Sequence, residues 1–319
     1  MNIDLLIENL SNPALLFFFL GIIAVQLKSD LEIPPTSAKF ISLYLLFAIG
    51  FKGGQELAHS EWGIEILWAI LAGISMALLV PLYSFFILKR KLSIENSGAI
   101  AASYGSVSAV TFITAIAFLE MEKIHFGGHM VAVMALMEAP SIIIGVFLIS
   151  LHSQEQATKQ PLGKIVYHAI TNGSVLLILG SLVIGLVASE TQAEGIRPFT
   201  NDIFKGFLAL FLLDMGITSG KNLKTFFKNG WFTASFSIVI PLINGITIAW
   251  LSGFFMQEEG NRLLLSILAA SASYIAVPAA MRLAVPKADP GLYIPMALAV
   301  TFPFNITIGM PVYYWIVTL

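Results

Sequence analysis

Residues 45–57 read LLFAIGFKGGQEL, and residues 211–223 read FLLDMGITSGKNL. Two glycines and a leucine recur between these stretches at a constant offset of 166, in the pairs Gly50 and Gly216, Gly54 and Gly220, and Leu57 and Leu223. A second match, of Ala101-Ala102-Ser103 with Ala269-Ala270-Ser271, follows at an offset of 168. Because both matches come in the same order at nearly one offset, they predict that the chain contains an internal repeat.

The composition indicates a membrane protein. Of 319 residues, 57% are hydrophobic and only 11% are charged, whereas soluble domains have about 25% charged residues. A soluble core of this size could not hide so much apolar surface from water. The net charge of −2 argues against a nucleic-acid partner. The chain contains no cysteine, which excludes disulfides and thiolate metal sites.

Ten apolar stretches are long enough to approach a membrane span, which takes about 20 residues. They lie at roughly 13–27, 36–53, 64–88, 96–118, 129–151, 173–189, 200–218, 231–255, 263–283 and 292–318. A repeat of five spans places the second half upside down relative to the first, as in many secondary transporters. We therefore predict an all-α polytopic protein with a first repeat at 1–151, a cytoplasmic linker at 152–172 and an inverted repeat at 173–319.

The positive charges predict the orientation. The connections that follow the odd-numbered spans contain 12 of the 17 lysines and arginines, and residues 1–12 contain none. Since cytoplasmic loops carry an excess of these residues, both termini are predicted to lie on the outer side of the cell's inner membrane. The first apolar run has no positively charged segment before it, so it is interpreted as a span rather than a cleaved signal.

The fourth and ninth spans carry hydroxyl and small residues in their middle, at 103–111 and 271–278. Pro278 lacks an amide proton and clashes with the preceding turn, so the ninth helix is predicted to break near residues 273–278. Gly105 allows a matching break in the fourth helix. Freed amides and positive dipole ends at mid-membrane would bind an anion without an arginine. The alternative is that these small residues only let helices pack closely.

Four polar residues within the spans are predicted to contribute to a sodium site. They are Glu138, Thr111, Asp214 and Asn305. A carboxylate inside the bilayer is costly unless it faces a cavity or a cation. The alternatives are a protonated, hydrogen-bonded Glu138, an Asp214 solvated near the interface, and an Asn305 that only bonds a neighbouring helix. We find no nucleophile–base pair or nucleotide-binding motif, so the protein is not expected to be an enzyme.

Three stretches carry a family resemblance: Tyr104-Gly105-Ser106-Val107-Ser108, Glu138-Ala139-Pro140, and the run from Arg282 to Pro290. Together they resemble the sodium-dependent bicarbonate transporters best known from cyanobacteria. The resemblance implies ten helices with crossed, broken fourth and ninth helices, a core domain moving against a gate domain, and a trimer. It further implies sodium-coupled bicarbonate uptake without an organic cofactor, and regulation by a small PII-like protein.

The resemblance also implies the positions of the site. The family's anion is bound at the helix breaks, which correspond here to Gly105, Ser106, Val107, Ser108, Ser271, Ala272 and Ser273, and Glu138 corresponds to a sodium-site residue. Tyr274 joins the predicted substrate site, although cyanobacterial members have an aspartate at that place after a longer serine run. The linker is also shorter than theirs. Two alternatives stay open: transport of another small anion such as a monocarboxylate, and a membrane sensor that binds an anion without moving it.

Overall fold

A computed structural model describes residues 13–59, 63–153, 173–227 and 230–319, together with residues 163, 167 and 171. The predicted linker at 152–172 therefore lies largely outside the described residues. So do residues 1–12 and three of the lysines used to predict the orientation, Lys159, Lys164 and Lys228. Within the described part, the secondary structure is helical and contains no strand.

The helices of the described part follow the predicted spans closely. In chain order they are α1 (Pro13–Gln26), α2 (Pro35–His59), α3 (Ile64–Leu88), α4 (Ile94–Gly105), α5 (Ala109–Met121), α6 (His129–His152), α7 (Gly173–Val187), α8 (Glu190–Arg197), α9 (Phe204–Phe227), α10 (Trp231–Leu251), α11 (Glu259–Ala270), α12 (Ala276–Ala284) and α13 (Pro290–Val317).

Six helical stretches in the described residues are long and apolar enough to cross a membrane. They are Ile64–Leu88, Ile94–Met121, His129–His152, Glu190–Leu223, Trp231–Phe254 and Pro290–Val317. Helices α1 and α7 are apolar but shorter. At about 1.5 Å per residue, a 14-residue helix such as α1 is roughly 21 Å long, less than the roughly 30 Å hydrocarbon core. The remaining predicted spans correspond to α2, which carries Lys39, Lys52 and Glu56, and to the pair α11 and α12.

Two features differ from the predicted spans. Residues 190–197, between the predicted spans 173–189 and 200–218, form the short helix α8, because Ser189 caps its first turn and Gln192 bonds back to Ser189. The predicted span 292–318 is not a uniform α-helix. It contains π-helical stretches at Met296–Thr301 and Asn305–Gly309. Pro303 stands between them, and its missing amide proton disrupts the regular hydrogen-bonding pattern.

The outer surface of the bundle is apolar. Leu67 and Trp68 on α3, and Val239 and Ile243 on α10, leave between 46% and 53% of their surface exposed. Exposed apolar side chains in such number are unfavourable in water and stable against lipid. The protein is thus a membrane protein with helices α3 and α10 among those that face the bilayer.

Glycines of the repeated stretches lie where helices cross most closely. A Cβ atom at Gly50 of α2 would lie 2.6 Å from the carbonyl oxygen of Ile178 in α7. A Cβ atom at Gly21 of α1 would lie 2.7 Å from the amide nitrogen of Ile217, next to Gly216 in α9. Helices α2 and α7, and α1 and α9, therefore pack backbone against backbone. We call these four helices the glycine-packed layer; the interrupted helices lie beside it.

Candidate anion site at the crossing of two interrupted helices

Two helices are interrupted inside the bundle, as predicted. Helix α4 ends at Gly105, residues 106–108 are extended, and α5 begins at Ala109. Helix α11 ends at Ala270, and α12 begins at Ala276. The second interruption covers residues 271–275, slightly before the predicted position. Pro278 lies in the first turn of α12, where its missing amide proton costs no helical hydrogen bond.

Carbonyl groups in the last turn of each first half-helix accept hydrogen bonds from polar side chains of neighbouring helices, and that of Ala102 also accepts from the Ser106 amide. The hydroxyl of Ser141 in α6 donates to the carbonyl of Ala102, 2.8 Å away. The amide of Asn305 in α13 donates to the carbonyl of Ala270, 2.7 Å away, and that of Asn244 in α10 donates to Ala269, 3.2 Å away. These bonds matter because an unsatisfied buried carbonyl costs about 1–3 kcal/mol.

The two interruptions are bonded directly to each other. The amide of Ser273 donates to the carbonyl of Ser103 (2.8 Å), and the hydroxyl of Ser103 donates back to the carbonyl of Ser273. The amide of Ser108 donates to the hydroxyl of Ser271, 3.0 Å away. The crossing is thereby fixed by three hydrogen bonds between residues more than 160 positions apart in sequence.

The starts of α5 and α12 present amides that the helices do not use. The Ser108 hydroxyl accepts from the amide of Thr111 at 3.2 Å, and the Ser273 hydroxyl accepts from Val277 at 3.4 Å. Other first-turn amides, such as those of Ala109 and Ala276, have no intrahelical acceptor. Both helix starts carry a positive dipole end, so they favour a negative solute.

A cavity of about 40 Å³, counted as space open to the centre of a water molecule, lies at these two helix starts. At roughly 10–15 Å³ for each water, it has room for about three waters or a solute of similar size. The interruptions contribute Val107, Ser108, Ser273 and Tyr274 to its wall. Glu138 of α6 is the one charged side chain among the described residues that line it.

The opposite wall of the cavity belongs to the glycine-packed layer. Leu45 and Leu46 of α2, Ile178 of α7 and Phe211 of α9 face the interruptions across the cavity. Two further hydroxyl residues, Ser42 and Ser174, line its edge. The cavity is thus apolar on one side and rich in amides and hydroxyls on the other, which is the usual constitution of a small-molecule site.

Tyr274 places a buried hydroxyl group in the wall of the cavity. Its side chain is only 8% exposed, and its hydroxyl lies beside Ser108 without forming a hydrogen bond of good geometry with any described residue. The ring packs edge-on against Phe302, with centroids 6.3 Å apart. A buried hydroxyl without a partner is unfavourable unless a ligand or water completes it.

The predicted substrate residues divide into two groups. Val107, Ser108, Ser273 and Tyr274 line the cavity. Gly105, Ser106, Ser271 and Ala272 are buried at the crossing without lining it. Gly105 has a packing role, because a Cβ atom there would lie 2.6 Å from the hydroxyl of Ser141 and closer still to Pro81.

The predicted sodium residues differ in their relation to the cavity. Glu138 lines the cavity, whereas Thr111, Asp214 and Asn305 do not. Asn305 donates to Ala270 and accepts from the hydroxyl of Tyr313 at 3.1 Å, so both of its polar atoms contact protein. Asp214 lies close enough to Tyr274 to interact with it electrostatically. Within the described residues, no group of three or more acidic or histidine side chains is arranged to hold a metal ion.

Sequence reasoning missed the residues that hold the crossing together. Ser103 lies in the hydroxyl-rich stretch 103–111 but is not among the predicted site residues, and neither Ser141 nor Asn244 is predicted to have a role. The sequence did contain an indication for Ser141 and Asn244, since each is a polar residue within an otherwise apolar span. Their partners, however, are backbone carbonyls, which the amino-acid sequence does not distinguish.

Two interrupted helices that meet inside a lipid-facing helical bundle define the class of secondary-transporter folds, in which substrates bind at unwound segments. A family model described as the Na+-dependent bicarbonate transporter superfamily matches residues 13–318, and the chain belongs to this family. Membership supports a role in transport. No individual curated protein matches the chain.

Proposed function

We propose that this protein takes up bicarbonate across the inner membrane together with sodium. The observation that carries the proposal is the cavity at the starts of α5 and α12, which is lined by the first residues of both helices and by Tyr274. Bicarbonate has four heavy atoms, three of them oxygens that accept hydrogen bonds. Its size and charge suit a small cavity lined by donors and helix N-termini.

Glu138 supplies the reason for coupling to a cation. An anion bound about 4 Å from an ionised carboxylate would meet a repulsion of roughly 4 kcal/mol at an effective dielectric constant of about 20. The described wall of the cavity contains no lysine or arginine to offset it. A sodium ion beside Glu138 removes the repulsion, because hard cations prefer carboxylate, carbonyl and hydroxyl oxygens. Anion binding then depends on sodium binding.

The movement that we propose is alternating access between two units. The glycine-packed layer serves as the gate, and the helices that carry the interruptions serve as the core. The cavity lies between them, with Leu45 and Phe211 on one wall and Ser108 and Ser273 on the other. This division accords with ten spans in two inverted halves, since α2 pairs with α7 and α1 with α9 through glycines at corresponding positions. The proposal places both termini outside.

The test is uptake of labelled bicarbonate by proteoliposomes under an inward sodium gradient, compared with equal potassium and proton gradients. We expect uptake that needs sodium. Glu138→Gln should raise the sodium concentration for half-maximal uptake at least tenfold, while Glu65→Gln, at the start of α3 and outside the cavity wall, should not. Uptake indifferent to sodium refutes the coupling, and absence of uptake refutes the substrate.

A second cargo is favoured by the apolar wall of the cavity. Leu45, Leu46, Ile178 and Phe211 would contact the methyl group of a small monocarboxylate such as acetate, whose carboxylate would meet the same amides. Competition of bicarbonate uptake by a series of monocarboxylates separates the two cargoes. Stronger inhibition as one or two methylenes are added would identify a monocarboxylate transporter.

The resemblance to the sodium-dependent bicarbonate transporters also suggests an oligomeric state and a regulatory partner. A homotrimer and a small PII-like regulatory protein are proposed as partners on that ground alone. Cross-linking in membranes tests the trimer, and co-purification with a PII-like protein from the same cells tests the regulator.

A further inference from the structure

A second opening lies between α2, α5 and the start of α6, about 190 Å³ in volume. Its wall includes Ile49 and Lys52 of α2, Ile116 and Glu120 of α5, and Val131 of α6. Through Lys52 it adjoins a wider space of about 340 Å³ that reaches α8. The positive charges in the loops predict that this end of the molecule faces outward.

The second opening and the central cavity follow one another along helices α2 and α5. Along α2, Leu45 and Leu46 line the cavity, and Ile49 and Lys52 line the opening. Along α5, Ile113 lines the cavity, and Ile116 lines the opening. Three residues of helix rise only about 4.5 Å. The two spaces are therefore separated by about one helical turn of apolar side chains.

Lys52 and Glu120 form an ion pair across this opening. Their side chains are 26% and 24% exposed, so the pair is largely shielded from water. The ammonium group of Lys52 also lies 5.5 Å from the centroid of the Phe204 ring. Lys52 is the one lysine or arginine among the described residues that line the opening.

Helices α2 and α6 pack closely at the same level. A Cβ atom at Gly53, next to Lys52, would lie 2.6 Å from a methyl carbon of Val131 and 3.4 Å from the carbonyl of Gly128. Helices α2 and α6 thus touch beside the ion pair. An anion that approaches from this end would therefore reach Lys52 at the point where α2 and α6 are in contact.

We propose that Lys52 is a second recognition residue, which binds a small carboxylate-like anion before it enters the central cavity. The inference rests on the proposed anion transport and adds an access site to it. Bicarbonate has the same planar pair of carbon-bound oxygens as the Glu120 carboxylate, so it makes the same contact with the ammonium group. When α2 and α5 move apart, Lys52 exchanges Glu120 for the substrate. Glu120 returns to Lys52 once the anion has passed, and its charge rejects a second anion.

Steady-state uptake in proteoliposomes tests the role of Lys52. Lys52→Gln should raise the KM for bicarbonate at least tenfold with a smaller change in the maximal rate. Glu120→Gln, which removes the carboxylate paired with Lys52 and leaves Glu56 as the other acidic residue of the described wall, should lower the KM. The exchanged pair Lys52→Glu with Glu120→Lys restores an ion pair but moves the cation to α5. If the pair were only structural, the double variant would restore both the thermal stability and the KM. We expect it to restore stability alone.

Labelling provides a readout independent of turnover. The natural chain has no cysteine, so Glu120→Cys carries the only thiol. Bicarbonate should slow its reaction with a membrane-impermeant thiol reagent, and should lose this effect when Lys52→Gln is added. Equal protection in both variants refutes the inference. If wild-type protein transports no bicarbonate, the proposed function fails; if it does and Lys52→Gln behaves as wild type, only the role of Lys52 fails.

Discussion

Ser103 and Ser273, 170 positions apart in the chain, bond to each other in both directions. The Ser273 amide donates to the Ser103 carbonyl over 2.8 Å, and the Ser103 hydroxyl donates to the Ser273 carbonyl. Both residues are buried. The reciprocal contact holds the two interrupted helices at one relative position, and it therefore fixes the distance between the starts of α5 and α12 across the cavity.

Removing the Ser103 hydroxyl should loosen this crossing. Ser103→Ala leaves the Ser273 carbonyl with one donor fewer in a dry interior, a loss of about 1–3 kcal/mol. We expect a lower unfolding temperature in detergent and slower uptake. The matched control is Ser97→Ala, because Ser97 is equally buried but its hydroxyl has no hydrogen-bonding partner among the described residues. If both variants lose the same stability, the hydroxyl bond contributes nothing beyond packing.

Asn305 provides a test between a structural role and a sodium ligand. Its amide donates to the Ala270 carbonyl at the end of α11. Asn305→Ala should therefore reduce stability by about 1–3 kcal/mol, while the protein that remains folded keeps its sodium dependence. The measurement is thermal unfolding combined with the sodium curve of uptake. A tenfold increase in the sodium concentration for half-maximal uptake, without loss of stability, would instead indicate that Asn305 is a sodium ligand.

The two interruptions and their approximate positions could be predicted from the sequence, because glycine, proline and hydroxyl residues have local backbone consequences. The face-to-face contact of Ser103 with Ser273 could not, since it joins a side chain to a backbone atom far along the chain. The Lys52–Glu120 pair could not be predicted either, because it joins two side chains 68 positions apart in the sequence. The predicted sodium set was drawn from polarity within spans, which does not reveal that Asn305 satisfies a carbonyl while Glu138 faces the cavity.

Tyr274 should bind the transported anion through its hydroxyl. A hydrogen bond to a charged group contributes about 1.5–3 kcal/mol, so Tyr274→Phe should raise the substrate KM by about 10- to 100-fold. Stability should change little, because the removed hydroxyl is buried and forms no hydrogen bond of good geometry with the described residues.

Tyr293 supplies the control for that experiment. It is buried, its hydroxyl also has no hydrogen-bonding partner among the described residues, and it lies outside the cavity wall. Tyr293→Phe should leave the KM unchanged. Equal KM values for both phenylalanine variants and the wild type would show that the Tyr274 hydroxyl does not contact the substrate.

The glycine-packed layer can be tested at Gly50, where helices α2 and α7 cross. A methyl group there would lie 2.6 Å from the Ile178 carbonyl oxygen and 2.8 Å from the Cβ atom of Ser181, so one helix must shift. Overpacking of this kind costs about 1–3 kcal/mol. Gly50→Ala should lower the unfolding temperature, measured on purified protein in detergent.

Gly180, on α7 itself, separates steric overlap from the general effect of alanine in a helix. Nothing lies within 4 Å of a Cβ atom built there, and alanine is more favourable than glycine in a helix by about 0.5–1 kcal/mol. Gly180→Ala should therefore leave stability equal or higher. Since Ile178 also lines the central cavity, a shift of α7 in Gly50→Ala should alter the substrate KM as well. Loss of stability with an unchanged KM would mean that the layer supports the fold without setting the width of the cavity.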